Sequence, residues 1–483
     1  MAHYKNFAQC IEQLLKEHKL TIGVLGAQIG ARSELRRALT NDLSSARRAS
    51  LCEKICMNGP FSAEECEELR ESLEVSRIGL ERYASRRSID RLMSIQTDEP
   101  PEPCCISGGP LIQRRLMPLL DADEINILCI NCIYSSIIFA LQPFFVDKGR
   151  SVRMHHYIQP DIVGLNAAEF VACISPILFD TRYSPYLLAS WSDTGEYPSI
   201  NGNLLVINAR FGKRTEEQLY VVSDSRSAHE LPNADAVGVF AFFSRIIADL
   251  PFRPTPLKMF EQASTDYASL VMSYLSRELN RSVFVYGTDI SFVQVPTDIA
   301  VKAFQDKAMF PPDVMASFLK RLIPLHERRF QNLYTKKKPS DMTFTLEGCQ
   351  RFMESGKSRD HFAGIRPFLP MERLHILSTM LKYADENRNF SPIVLKDEKF
   401  YSRYLTVGYD RLGVGITEYD TDYDLSAGYD YVFLSYPEFT SQYTDYFKST
   451  VLKERSYTRE ESLRLLHEMY NAYVRKFSKR PEA

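Results

Sequence analysis

This 483-residue chain has almost no net charge: 59 lysines and arginines stand against 61 aspartates and glutamates, a formal −2. A polycation is excluded, and any nucleic-acid surface must be local. No apolar run is long enough to span a bilayer. The longest, around Ile125 to Val146, is broken by Asn126, Asn131, Ser135, Gln142 and Pro143 and reads as strand plus helix. Met1 to Gln9 lacks an apolar signal core. Tryptophan is nearly missing: Trp191 is the single one and reads as core. No internal repeat of fixed period is visible. The ten cysteines build no small disulfide framework and read as reduced thiols of a cytoplasmic protein.

Catalytic motifs are missing as well. No Gly-x-Ser-x-Gly nucleophile elbow occurs. Ser355-Gly356-Lys357-Ser358 copies the end of a phosphate-binding loop, but Arg351 stands where the first glycine is needed. Cys129-Ile130-Asn131-Cys132 has zinc or redox spacing without a second ligand pair, so core thiols are expected, and likewise for Cys52 and Cys56. Asp420, Asp422 and Asp424 open like a calcium loop, yet Leu425 and Tyr431 replace its glycine and glutamate. His155 and His156 end an expected strand, where α/β domains often bind ligands. They lack a phospholipase-type His-x-Lys pair, because Tyr157 and Ile158 fill the lysine positions. With Tyr157 and Asp161 they form the best ligand-pocket guess, beside the plainer reading of packed or surface histidines. No metal site and no cofactor is expected.

What is present is a helical opening. Phe7, Ile11, Leu14 and Leu15 recur at helical spacing, and a second helix begins at Thr21. After a turn at Gly30-Ala31-Arg32, Leu35, Ala38 and Leu39 form an apolar stripe that leaves Arg36, Arg37 and Thr40 outward. Ser62-Ala63-Glu64-Glu65 is a capping box that starts a further helix. Two short helices joined by a glycine turn, the second basic outside, fit a helix-turn-helix.

Leu20-Thr21, Leu25-Gly26, Ile29-Gly30 and Leu35 to Leu39 carry a resemblance to bacterial regulators of the Cro and lambda-repressor (XRE-like) type. The chain departs from that pattern at Arg36, where an apolar residue is common, and at Gly26, where alanine is usual. The resemblance implies double-stranded DNA as partner, a homodimer, and base reading by Arg32, Ser33, Glu34, Arg36 and Arg37, with Lys19, Arg47 and Arg48 at phosphates.

The acidic, proline-rich stretch Gln96 to Pro103 and the following Ser107-Gly108-Gly109-Pro110 read as a linker. Beyond it, strands are expected at Ile125–Tyr134, Ser151–Ile158, Leu204–Phe211, Leu219–Ser223, Val283–Tyr286 and Ile290–Val295, and near Ile393, Leu405 and Val414. Helices are expected at Ser135–Phe145, Val237–Leu250, Leu257–Leu279, Pro312–Tyr334, Leu346–Ser355 and Met371–Ala384, then from Pro437 and from Thr458.

The expected architecture is multidomain: an all-α helix-turn-helix bundle over 1–95, a linker at 96–110, an α/β sensor region over 111–335 and an α+β region over 336–483. The function this suggests is a DNA-binding transcriptional regulator whose body senses a small molecule or protein. Two alternatives stand beside it: an enzyme with a dispersed site in the body, and a protein–protein adaptor whose bundle only oligomerises.

Overall fold

The computed structural model describes residues 5–40, 42–93, 114–132, 135–159, 166–188, 203–222, 228–230, 238–248, 254–262, 267–307, 311–335, 337–357, 365–396, 404–418 and 430–478. The linker, Asp161, Trp191 and the aspartates at 420, 422 and 424 lie outside them. The protein is mixed α/β, and its chain divides into two compact units, Met1–Ile89 and Asp90–Ala483.

The first unit is helical: α1 (Phe7–Glu17), α2 (Ile22–Gln28), α3 (Arg32–Leu39), α4 (Ser45–Asn58) and α5 (Ala63–Ile78), followed by α6 (Leu80–Met93). Each start has a local cause. The Asn6 side chain and Gln9 form a reciprocal capping box, Thr21 accepts from the Val24 amide, and Ser62 and Glu65 form the second box. Phe7, Ile11, Leu14, Leu25, Leu35, Leu51, Ile55 and Leu69 meet in one core, each such side chain contributing about 1.5–3 kcal/mol. Gly30 turns the chain at φ +64°. Gly26 has a packing reason: a Cβ there would sit 2.7 Å from the Arg32 Cα, so α2 and α3 touch only because it is absent.

Among the described residues, the second unit holds two seven-stranded sheets. Sheet 1 contains β1 (Glu124–Ile130), β2 (Ser151–Ile158), β3 (Tyr183–Leu187), β4 (Asn203–Phe211), β5 (Arg214–Val222), β6 (Ala228–Glu230) and β7 (Thr255–Pro256), in the order β6-β5-β4-β1-β2-β3-β7. Sheet 2 contains β8 (Lys258–Gln262), β9 (Val283–Tyr286), β10 (Ser340–Phe344), β11 (Phe390–Val394), β12 (Tyr404–Tyr409), β13 (Gly413–Glu418) and β14 (Asp430–Leu434), in the order β8-β14-β13-β12-β9-β10-β11.

The two sheets repeat one plan. In sheet 1, β1, β2 and β3 run parallel, β4 pairs antiparallel with the other side of β1, and β5 and β6 follow antiparallel. In sheet 2, β9, β10 and β11 run parallel, β12 pairs antiparallel with β9, and β13 and β14 follow antiparallel. Six strands in the same order and directions make the body a structural duplication, which no fixed sequence period announces. The expected division at 335/336 falls inside sheet 2, because β9 pairs with β10 across it. The halves change over between β7 and β8.

The helices of this unit are α7 (Ser135–Leu141), α8 (Pro143–Val146), α9 (Ala167–Ile174), α10 (Val239–Ala248), α11 (Tyr267–Glu278), α12 (Thr297–Lys307), α13 (Pro312–Thr335), α14 (Leu346–Ser355), α15 (Pro370–Glu386), α16 (Pro437–Tyr446) and α17 (Arg459–Ser478), with a π-helical stretch at Phe447–Arg455. Two sequence expectations are corrected. Leu257–Leu279 is not one helix: its start is β8, an edge strand paired with β14, and helix begins at Tyr267. Ile290–Val295 is not a strand: Ser291 and Gln294 cap a 3₁₀ turn at Phe292–Gln294. No helix among the described residues is long and apolar enough to cross a membrane.

α10 and α16 occupy matching places. α10 packs on β4 and β5, and α16 on β12 and β13. Within the unit α16 also meets α9 of the first half: the Ala168 amide donates to the Gln442 side chain at 2.8 Å, and the Phe170 and Tyr436 rings lie 6.5 Å apart.

Candidate functional site

Strand alternation sends the two histidines to opposite faces of sheet 1. His156 is fully buried with Met154, beneath α9: its ring is 5.7 Å from Phe170, and its Nδ1 is 3.0 Å from the Tyr183 hydroxyl. Its Nε2 has no hydrogen-bond partner. Burial pushes the His156 pKa down to about 3 and the Tyr183 phenol well above its usual range. Two neutral rings therefore share one hydrogen bond, with no proton to trade at neutral pH. Cys129, in register with His156, is also fully buried with its thiol pushed up.

His155 and Tyr157 face the other way. Both are half-buried, as is Tyr186, the register partner of Tyr157 on β3. The three rings are nearly parallel. Tyr157 and Tyr186 have centroids 5.1 Å apart, His155 and Tyr186 5.9 Å, and His155 and Tyr157 6.4 Å, with interplanar angles of 16°, 20° and 16°. Ser184, the partner of His155 across the strands, is too small to cover the histidine's flank. The imidazole Nδ1 of His155 has no partner, and burial with the nearby Arg153 charge holds its proton affinity below the usual.

The carboxyl ends of β1 and β2 are pinned above these rings. Asn131 sits in the left-handed region at φ 54°, a strained conformation for a buried non-glycine residue. Its Nδ2 donates to the Gln159 Oε1 at 3.0 Å, and the Gln159 amide donates to the Asn131 Oδ1 at 2.8 Å. The Gln159 Nε2 is buried without a partner, a cost of about 1–3 kcal/mol. α10 covers this face only in part. Phe240 and Phe243 join Tyr157 at the border of a cluster formed by Leu128, Ile130, Val206, Leu219 and Ile247.

The sequence pointed to His155, His156 and Tyr157 as the end of a strand, without separating the faces, and missed Tyr186, Ser184 and Gln159, which only strand pairing brings alongside. It also missed a second buried polar group. Arg329 on α13 grips Glu278 on α11 with two nitrogens at 2.9 Å beside a cavity of about 30 Å³ against sheet 2. That volume holds a water or two, too little for an organic ligand.

Other sequence candidates resolve as packing. Cys132 is fully buried and its thiol donates to the Leu204 carbonyl. Cys52 is buried, and Cys56 packs at the border of the helical core. The phosphate-loop-like run ends α14, where Gly356 is a left-handed cap at φ 73°. No group of three or more His, Cys, Asp or Glu among the described residues could hold a metal ion.

On the first unit, Arg32, Ser33, Arg36, Arg37, Arg47 and Lys19 are exposed, and Glu34 and Arg48 are half-buried. Two of the expected base readers are engaged locally. Glu34 pairs with Lys54 at 3.0 Å, and an Arg37 guanidinium nitrogen donates to the Asp42 carbonyl at 2.9 Å.

No family model and no curated protein matches the chain. Among solved structures, a phosphatidylserine synthase from Haemophilus influenzae Rd KW20 matches 83% of this chain and 99% of its own, at 9% identity and a TM-score of 0.25. A likeness at that level transfers neither fold nor activity. The expectation of a DNA-binding transcriptional regulator is corrected here: no helix-turn-helix family is shown, and Glu34 and Arg37, two of its expected base readers, are tied within their own unit.

Proposed function

We propose that the Asp90–Ala483 unit is a ligand-binding module that takes a planar ring against the open face of sheet 1. The observation that carries this is the array of His155, Tyr157 and Tyr186: three near-parallel, half-exposed rings on a strongly paired sheet. Aromatic side chains hold a planar ring by stacking, worth about 0.5–1.5 kcal/mol beyond burial. A rigid sheet fixes the platform in advance, so little ordering is needed on binding.

The Nδ1 of His155 and the Nε2 of Gln159 add unmet polarity buried beneath this face. The reading is one of binding; the His156–Tyr183 pair is buried on the opposite face of the sheet and takes no part in it. Its compartment is the cytoplasm, in keeping with thiols that are free throughout the described residues.

Saturation-transfer NMR of the full chain with adenine and indole tests it. Ring protons of at least one probe should receive saturation, and Tyr186→Ala should abolish the transfer while Tyr286→Phe, in sheet 2, leaves it intact. No transfer to either ring, or equal transfer with Tyr186→Ala, would overturn the reading.

A further inference from the structure

Resting on that reading, we infer that the ring ligand is a nucleoside 5′-monophosphate, its base against His155 and Tyr186 and its phosphate at Arg153. Arg153 lies two residues before His155 on β2, so it shares that face, and it is exposed. Two residues of strand advance about 6.6 Å, the span a ribose bridges between a base and its 5′-phosphate.

The lateral space fits as well. Ser184 leaves room beside the His155 ring, and Tyr186 closes that room toward the carboxyl end of β3. Arg182, at the amino end, is occupied: its guanidinium pairs with Asp180 and donates to the carbonyls of Phe145, Asp147 and Arg150. Among the described residues, Arg153 is thus an exposed cation on this face that an anionic group can reach, Arg210 being paired with Glu124. The nearest carboxylate across β1, Glu124, is held at 2.9 Å by Arg210. A guanidinium binds a phosphate through paired hydrogen bonds, and bases stack on tyrosine and histidine faces.

Isothermal titration calorimetry of the full chain with AMP, GMP, CMP and UMP, each beside its nucleoside, tests the inference. At least one monophosphate should bind about tenfold or more tightly than its nucleoside. Arg153→Glu should erase that difference without weakening the nucleoside, and Arg153→Lys should keep part of it. Tyr186→Ala should weaken nucleoside and nucleotide together.

Equal binding of nucleoside and monophosphate, or binding of indole alone, overturns the nucleotide while the ring site stands. A single-stranded tetranucleotide that outbinds the monophosphate overturns the free nucleotide in favour of a chain. No binding by any ring compound, indole included, defeats both readings.

Discussion

Sheet 1 and sheet 2 share a strand plan and differ in how one face is covered. In sheet 2, α16 and the π-helical stretch lie across the face of Phe284, Tyr286, Thr406 and Gly408. Phe447 meets Phe284 at 5.5 Å, Tyr446 meets Tyr286 at 6.2 Å, and the Tyr443 and Thr406 hydroxyls are 2.7 Å apart. Gly408 has no side chain because a Cβ there would stand 2.6 Å from the Tyr443 ring. In sheet 1, among the described residues, the matching face has the ten-residue α10, of which Ile247 alone is buried and Phe242 is 59% exposed. One half of a duplicated fold has closed this face, and the other leaves three aromatic rings partly exposed. A duplicated scaffold can keep one copy for stability and free the other for recognition.

The comparison breaks most readily at the closed face. Phe447→Ala removes a fully buried ring and should cost about 3–5 kcal/mol in denaturant unfolding. A loss below about 1 kcal/mol would mean the face is not sealed.

Next comes His156, which shares its face of β2 with Met154 as Phe344 shares its face of β10 with Met342. The folded pKa of His156 is pushed down to about 3 from an ordinary 6.5, so the unfolded chain binds the proton first. The stability tied to its neutral form is complete above pH 6.5 and declines as pH falls toward 3, by on the order of 4 kcal/mol. His326 in the second half, with its pKa pushed down to about 4, adds a loss in the same direction. His156→Phe should therefore flatten the fall of unfolding free energy between pH 6 and 4 by about one proton; an unchanged slope would show that His156 is not held neutral.

Tyr186→Ala should cost stability no more than about 1 kcal/mol, since its ring is already half-exposed. A collapse comparable to that of Phe447→Ala would make the open face a structural core. Smallest of all, Phe242→Ser should shift stability by no more than about 0.5 kcal/mol; a larger loss would show α10 to be covered.

The sequence made helix starts legible where chemistry is local: the boxes at Ser62 and at Thr458 with Glu461, and the first-turn Pro437. The strands at Ser151–Ile158 and Leu204–Phe211 were legible for the same reason. β3 was not, because Tyr-Ser-Pro-Tyr-Leu carries a proline and reads as turn, yet β3 pairs with β2 through residues on both sides of Pro185. The duplication escaped notice since it lives in strand order, with different loops and helices between the strands.

Half of the candidate site was therefore readable. His155 and Tyr157 sit on one strand, whereas Tyr186 joins them only through a pairing set by tertiary structure. Parity also mattered: His156, one residue along from His155, belongs to the opposite face and to the core.

Hydroxyl-radical footprinting of the full chain, read residue by residue by mass spectrometry, tests the central contrast most directly. Tyr157 and Tyr186 should be modified readily, His155 with them, while Tyr286, Tyr443 and Tyr446 stay protected until the protein unfolds. Equal modification of the two sets, or protection of Tyr186 to the level of Tyr286, would contradict the account.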